Sequence, residues 1–184
     1  MRVLGIDPGS RFVGYGLVDL RNRAPVYVTS GVLKADGAQP LPRRLAAIFT
    51  QLQQVFAQFA PDAVAVEGVF THKNARSALV LGHARGVALL LAAQSGLDVH
   101  EYAPARVKKS VGAGGGDSKD SVARMVSRLL SLPNDFERAD ASDALAVALC
   151  HVHSLRGPQV PSAKRGGAND FYARLKPAVV RAAS

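Results

Sequence analysis

The sequence predicts an α/β fold in which one mixed sheet is flanked by helices. Short apolar runs with strand character recur at residues 3–7, 12–18, 26–33, 63–67 and 99–102. Between and after them, apolar residues switch to three- and four-residue spacing. The order is three strands in succession and then alternation of helix and strand, which calls for a meander followed by parallel crossovers.

The first strand is Val3-Leu4-Gly5-Ile6-Asp7, stopped by Pro8-Gly9-Ser10. Pro8 cannot donate to a ladder and Gly9 permits a tight turn, so the run ends abruptly on a carboxylate. Taken alone, Asp7 reads most simply as a turn cap. Phe12–Val18 and Val26–Leu33 follow, separated by the polar Arg21-Asn22-Arg23, and predict an antiparallel meander with the first strand. Leu41, Leu45, Ile48, Leu52, Val55 and Phe59 then line one face of an amphipathic helix ended by Pro61.

Ala63-Val64-Ala65-Val66-Glu67 is a second apolar strand that ends on an acid. A helical return to the same sheet makes it parallel to the first strand, through a right-handed crossover. Parallel neighbours finish on one edge, so Asp7 and Glu67 are expected side by side, about one strand spacing apart.

After a short loop, a helix is predicted from about Ala75 to Gln94. It contains Gly82 and Gly86, for which the reading is tight packing on the sheet rather than a dimer face. Val99–Tyr102 is the final strand. Residues 105–119 gather Arg106, Lys108, Lys109 and Lys119 around a glycine-rich loop expected to order against a partner. Lys119 to Leu130 is a short helix. Asp140-Ala141-Ser142-Asp143 opens an alanine-rich helix, and acids three apart share a helix face. Such acids also suit a helix N-terminus electrostatically.

The domain is expected to span residues 1–156, with a basic, disordered tail at 157–184 holding five cations against the single acid Asp170. Across 184 residues, 23 Lys and Arg against 14 Asp and Glu give a net charge of +9, which favours a polyanionic partner such as nucleic acid. Cys150 is the only cysteine, excluding an internal disulfide and a cysteine-based zinc cluster. No leader is evident and no apolar run is expected to approach about 18 residues, so the reading is a soluble, cytoplasmic protein.

Asp7, Glu67, Asp140 and Asp143 thus all fall at the ends of predicted elements. Like charges brought together are compensated by divalent metal, and an oxygen-only donor set suits Mg²⁺ or Mn²⁺ rather than zinc. On a basic protein the matching substrate is a phosphodiester. Two ions roughly 3.5–4 Å apart would activate water and stabilise the departing 3′ oxygen.

Gly5-Ile6-Asp7-Pro8-Gly9-Ser10, Val66-Glu67-Gly68-Val69-Phe70, Lys73-Asn74 and Asp140-Ala141-Ser142-Asp143-Ala144-Leu145-Ala146 together resemble the RuvC family of Holliday junction resolvases, in order from about residue 1 to 155. The resemblance implies a ribonuclease-H-like mixed five-stranded sheet and a homodimer that makes paired, symmetric nicks in a four-way DNA junction. It maps the catalytic, metal-binding acids onto Asp7, Glu67, Asp140 and Asp143. It also implies that Phe70 contacts unstacked bases, that Lys108 and Lys119 support DNA binding, and that the protein works with the RuvA–RuvB branch-migration complex in recombination and repair. Lys73, Arg76 and Arg85 are candidate phosphate contacts. Gly68 stands where related sequences often carry a polar residue, and no contact is assigned to it.

From the residues alone, Phe70 has a commoner use as a loop aromatic tucked into the core, against base stacking. His72, His83, His151 and His153 have no assigned role, since His-Val-His spacing puts two rings about 200° apart on a helix. Two rival functions stay open at this stage. A strand ending in Ile-Asp-Pro-Gly-Ser also resembles the first phosphate loop of actin-type and sugar-kinase nucleotide-binding folds, although 184 residues leave little room for their second lobe. The other rival is a junction-binding protein without catalysis.

Overall fold

In the computed structural model, the strands are β1 (Arg2–Asp7), β2 (Phe12–Arg21), β3 (Ala24–Lys34), β4 (Ala63–Glu67) and β5 (Val99–Tyr102). The helices are α1 (Leu41–Phe59), α2 (Ala75–Gln94), α3 (Pro104–Ser110), α4 (Lys119–Leu130) and α5 (Ala139–Ser154). The structure describes residues 1–68, 75–113, 119–133 and 135–155, with the backbone alone at Arg76, Lys119 and Asp120. The strands form one sheet in the order β3-β2-β1-β4-β5. β1, β2 and β3 are the expected antiparallel meander, and β4 and β5 add in parallel.

Strand alternation sorts the sheet into two faces. Leu4, Ile6, Leu17, Val64 and Val66 lie fully buried on one face, in the cluster that takes in Ile48, Leu52, Val55 and Phe56 of α1 and Ala88, Leu91 and Ala92 of α2. Val3, Val18 and Ala65 lie on the other, in the cluster that takes in α3, α4 and the nearly all-buried α5. The result is a helix–sheet–helix sandwich in which the central strands β1 and β4 are covered on both faces, as parallel pairing requires, while the edge strand β3 stays partly exposed. Each large side chain buried in these layers contributes about 2 kcal/mol of transfer free energy.

α5 sits unusually low on the sheet because the residues beneath it have no side chains. A Cβ on Gly5 would lie 2.1 Å from the carbonyl oxygen of Ala144, and one on Gly16 would lie 2.7 Å from Leu145 Cγ. Gly5 and Gly16 are direct cross-strand partners, so together they form a trough for the helix.

α1 begins where Pro42 occupies its first turn and ends where Ala60 takes a left-handed conformation, φ 44°, its N–H bonding to Phe56 O. Pro61 follows, as expected. α3 was not expected from the sequence, which reads there as a cationic loop. Its signal is Pro104, which favours a first helical turn.

α2 corrects two expectations. Gly82 and Gly86 do not pack on the sheet: a Cβ on either would meet nothing within 4 Å. The sheet-facing side is instead made by Ala84, Ala88, Leu91 and Ala92, while Leu79 and Leu90 are exposed. In addition, Ser77–Gln94 forms an 18-residue stretch that is long and apolar enough, by length and composition, to cross a membrane. The expectation that no run approaches that length therefore fails, because the leucines, valines and alanines of the stretch outweigh its His83, Arg85 and Gln94 in the mean hydropathy.

Candidate active site

β1 and β4 run parallel in a register that sets Ile6 opposite Val66. Continuing one residue brings Asp7 level with Glu67 on the strands' carboxyl edge. By alternation, Asp7 follows Val3 and Gly5, and Glu67 follows Ala63 and Ala65, so both acids project toward the face occupied by α5. Both are half-buried.

The third and fourth acids arrive through Gly14. Gly14 is the cross-strand partner of Asp7. A Cβ at Gly14 would come within 1.9 Å of the carbonyl oxygen of Asp140, so the first turn of α5 lies directly on the backbone beside Asp7. Asp140 and Asp143, three residues apart on α5, are half-buried and share that end of the helix. Three elements therefore bring the four predicted acids to one edge of the sheet. The turn after Asp7 is tied down as well, for Arg44 Nη1 donates to Ser10 Oγ at 3.2 Å and lies 3.4 Å from Ser10 O.

Asp140 already has a partner. Arg138 Nε donates to its Oδ2 at 2.9 Å, and the Arg138 guanidinium lies 3.8 Å above the Phe12 ring. Neither Arg138 nor Phe12 is singled out by the sequence, in which Phe12 only opens the second predicted strand. Their signal is positional only: Arg138 lies two residues before the candidate acid Asp140, and Phe12 opens β2 just after the turn that follows the candidate acid Asp7.

Burial of an acid does not by itself mark this site. Asp19 is 6 % exposed but lies at the far end of β1, opposite Arg2. Hydrogen bonds from Arg2, at 2.8 Å, and from Arg21, at 2.7 Å, hold its carboxyl down at about 2 against the desolvation that opposes them. It is a structural ion pair that fastens β1 to β2.

The remaining predicted contacts divide. Lys108 lies half-buried in the last turn of α3, the helix that leaves the sheet edge directly after β5, whose Tyr102 is the partner of Glu67. Phe70 and Lys73 lie outside the described residues, as do the side chains of Arg76 and Lys119. Arg85 is not turned to solvent as a phosphate contact would be: it is 19 % exposed and pairs with Glu101 of β5 at 2.5 Å. His151 is buried, its Nδ1 2.7 Å from the Tyr102 hydroxyl and its ring stacked on His100 at 4.1 Å. Burial, with His100 adding to it, lowers the His151 pKa to about 4. His153 Nδ1 bonds to Ser110 O at 2.9 Å. These histidines fasten α5 to β5 and α3.

The family model for crossover junction endodeoxyribonuclease RuvC matches residues 3–151. The chain belongs to the RuvC family. It is 59% identical over 188 residues to the RuvC of Myxococcus xanthus strain DK1622, covering 98% of each chain. To the RuvC of Trichlorobacter lovleyi it is 48% identical over 170 residues, covering 90% of this chain and 95% of that one. Among solved structures, Thermus thermophilus RuvC in complex with Holliday junction substrate matches with a TM-score of 0.76 at 32% identity, over 85% of this chain and 96% of that one. RuvC proteins are nucleases that resolve Holliday junctions and depend on divalent metal.

The acids here fit such a metal by donor chemistry: four carboxylates, with no thiol or imidazole among them, are a hard oxygen set. Among the described residues no three His, Cys, Asp or Glu side chains stand as a group that could hold a metal ion.

Proposed function

We propose that this chain cuts four-way DNA junctions at the edge formed by Asp7, Glu67, Asp140 and Asp143, making paired symmetric nicks as a homodimer. The observation that supports the reading most is the parallel register of β1 and β4, which sets Asp7 level with Glu67 on the face where α5 carries the other two acids. Asp7 is the central ligand, flanked by Glu67 on one side and by the α5 pair on the other. When bound there, two Mg²⁺ or Mn²⁺ ions supply Lewis-acid activation of water and of the leaving 3′ oxygen. The chain's own residues hold the carboxylates in place: the Pro8-Gly9 turn leaves the strand end open to a DNA strand, and the Arg44–Ser10 bond steadies that turn. Lys108, Lys119, Lys73 and Arg76 provide cationic contacts to phosphate, and Phe70 stacks on a base near the crossover.

Two coordinated cuts call for two sites, and α2 offers a surface for pairing. Its outer side combines Leu79, 64% exposed, and Leu90, 54% exposed, with the open faces of Gly82 and Gly86, so a second helix can approach closely. The RuvA–RuvB branch-migration complex is the proposed functional partner, and the cytoplasm the proposed location.

Nicking of a synthetic four-way junction tests the proposal. Cutting that needs Mg²⁺ or Mn²⁺, stops with chelator and falls symmetrically in two strands supports it. Junction binding with no metal-dependent cutting would leave a binding protein, and turnover of ATP would favour the nucleotide-binding alternative.

A further inference from the structure

We infer that Arg138 is a positioning residue for Asp140, itself locked in place by Phe12, so that Asp140 presents its second carboxylate oxygen to a divalent cation. The inference rests on the reading of the four acids as a metal site. Arg138 is the N-cap residue of α5, with an extended backbone (φ −153°, ψ 154°) and no side-chain capping bond. Its side chain is used elsewhere: Nε bonds to Asp140 Oδ2 at 2.9 Å while the guanidinium plane rests on the Phe12 ring at 3.8 Å.

Both contacts belong to a larger clip. Phe12 is the cross-strand partner of Lys34, and Lys34 forms an ion pair with Glu137. The consecutive residues Glu137 and Arg138 therefore grip the two members of one β2–β3 cross-strand pair, Lys34 and Phe12, and the start of α5 is pinned to the sheet two residues before Asp140. An ordinary exposed ion pair lets both side chains wander, with little consequence. Arg138 is itself 41 % exposed but differs in lying over the Phe12 ring, a contact that restricts the guanidinium and with it the carboxylate it holds.

The bond engages one oxygen, Oδ2, so the proposed contact to an ion falls to Oδ1. Carboxylate ligands held by such an outer hydrogen bond have less freedom to lose on binding metal, and removing the outer partner typically weakens metal affinity 10- to 100-fold. Arg138 is also a cation beside a cation site, and on charge alone its removal would tighten binding. The two effects have opposite signs, so affinity decides between them.

The test is calorimetric titration of the DNA-free protein with Mn²⁺. Replacing Arg138 by Gln (R138Q) is expected to weaken Mn²⁺ binding about 10-fold. F12L, which keeps the cation and removes its platform, is expected to shift affinity the same way by less, and R138K to recover part of the loss. In an Asp140→Asn background R138Q is expected to change nothing further. Unchanged or tighter Mn²⁺ binding in R138Q overturns the inference, as does an equal loss in the Asp140→Asn background. If R138Q does not fold, F12L alone decides: affinity equal to that of the parent protein overturns it. Failure of the parent protein to bind Mn²⁺ would instead overturn the metal-site reading on which the inference stands.

Discussion

Gly14 and Asp140 are in backbone contact across the β2–α5 interface, at a separation that leaves no room for a Cβ: the ideal atom would lie 1.9 Å from the Asp140 carbonyl oxygen. Because Gly14 is also the direct partner of Asp7, the same missing methyl brings the helical acids to the strand acid. Gly14→Ala is expected to push the first turn of α5 away from β1, lowering stability by about 2–3 kcal/mol, as overpacking against backbone does. Junction cutting should fall further than stability alone explains. Urea denaturation and nicking assays on the same preparation separate the two, and unchanged activity in a folded variant would contradict the proposed site geometry.

Asp7→Asn keeps the size of the side chain and removes its charge. Cutting should drop by roughly 100- to 1,000-fold, the order seen when a principal charge-stabilising group is lost. Junction binding, carried by phosphate contacts elsewhere, should persist in a mobility-shift assay. Joint loss of binding and fold would mean that Asp7 is structural, in the manner of Asp19.

The stacked pair His100 and His151 makes the fold sensitive to acid. Burial first, then the neighbouring His100, depresses His151 to about 4, while an unfolded histidine titrates near 6.5. The unfolded chain therefore takes up the proton first. Stability is full above about pH 6.5 and declines as pH falls through the folded pKa, by an amount of order 2 kcal/mol. His151→Phe should flatten that decline between pH 6.5 and 4, even if its loss of the Tyr102 bond lowers stability at neutral pH. Denaturant midpoints measured at several pH values check this, and a decline of unchanged size would rule out His151 as its source.

Leu79 and Leu90 project from α2 on the side away from the sheet, so charge placed there should leave the fold intact. Leu79→Glu combined with Leu90→Glu is expected to convert the proposed dimer to a monomer in sedimentation velocity, with thermal stability of the monomer fold little changed. Paired nicking should be lost before single nicking. Dimers that survive the double substitution would move the interface away from α2.

Much of this architecture is legible in the sequence, because it depends on local signals. The apolar runs closed by Asp7 and Glu67 mark strand ends. The change of period at Leu41 marks α1, and the chain order fixes β4 as a parallel neighbour of β1. Charge and the position of acids at element ends carried the chemistry of the site. What sequence could not carry were contacts between residues with no periodic relation. α3 escaped notice because seven residues give too little periodicity, and the inward or outward turn of Gly82 and Gly86 depends on which helix face meets the sheet.

Sequence by itself therefore determined the order of the five strands and of every helix but α3, the four candidate acids and the polyanionic partner, since each follows from side-chain chemistry and nearest-neighbour spacing along one chain. Only the tertiary structure decided that the first turn of α5 lies against Gly14, that Arg85 is tied to Glu101, and that Asp140 is held by an arginine lying over Phe12. Those depend on packing distances between elements far apart in the chain. At Gly14 the deciding quantity is the absence of one methyl group, whose consequence exists only once a helix from residue 139 onward has been laid across it.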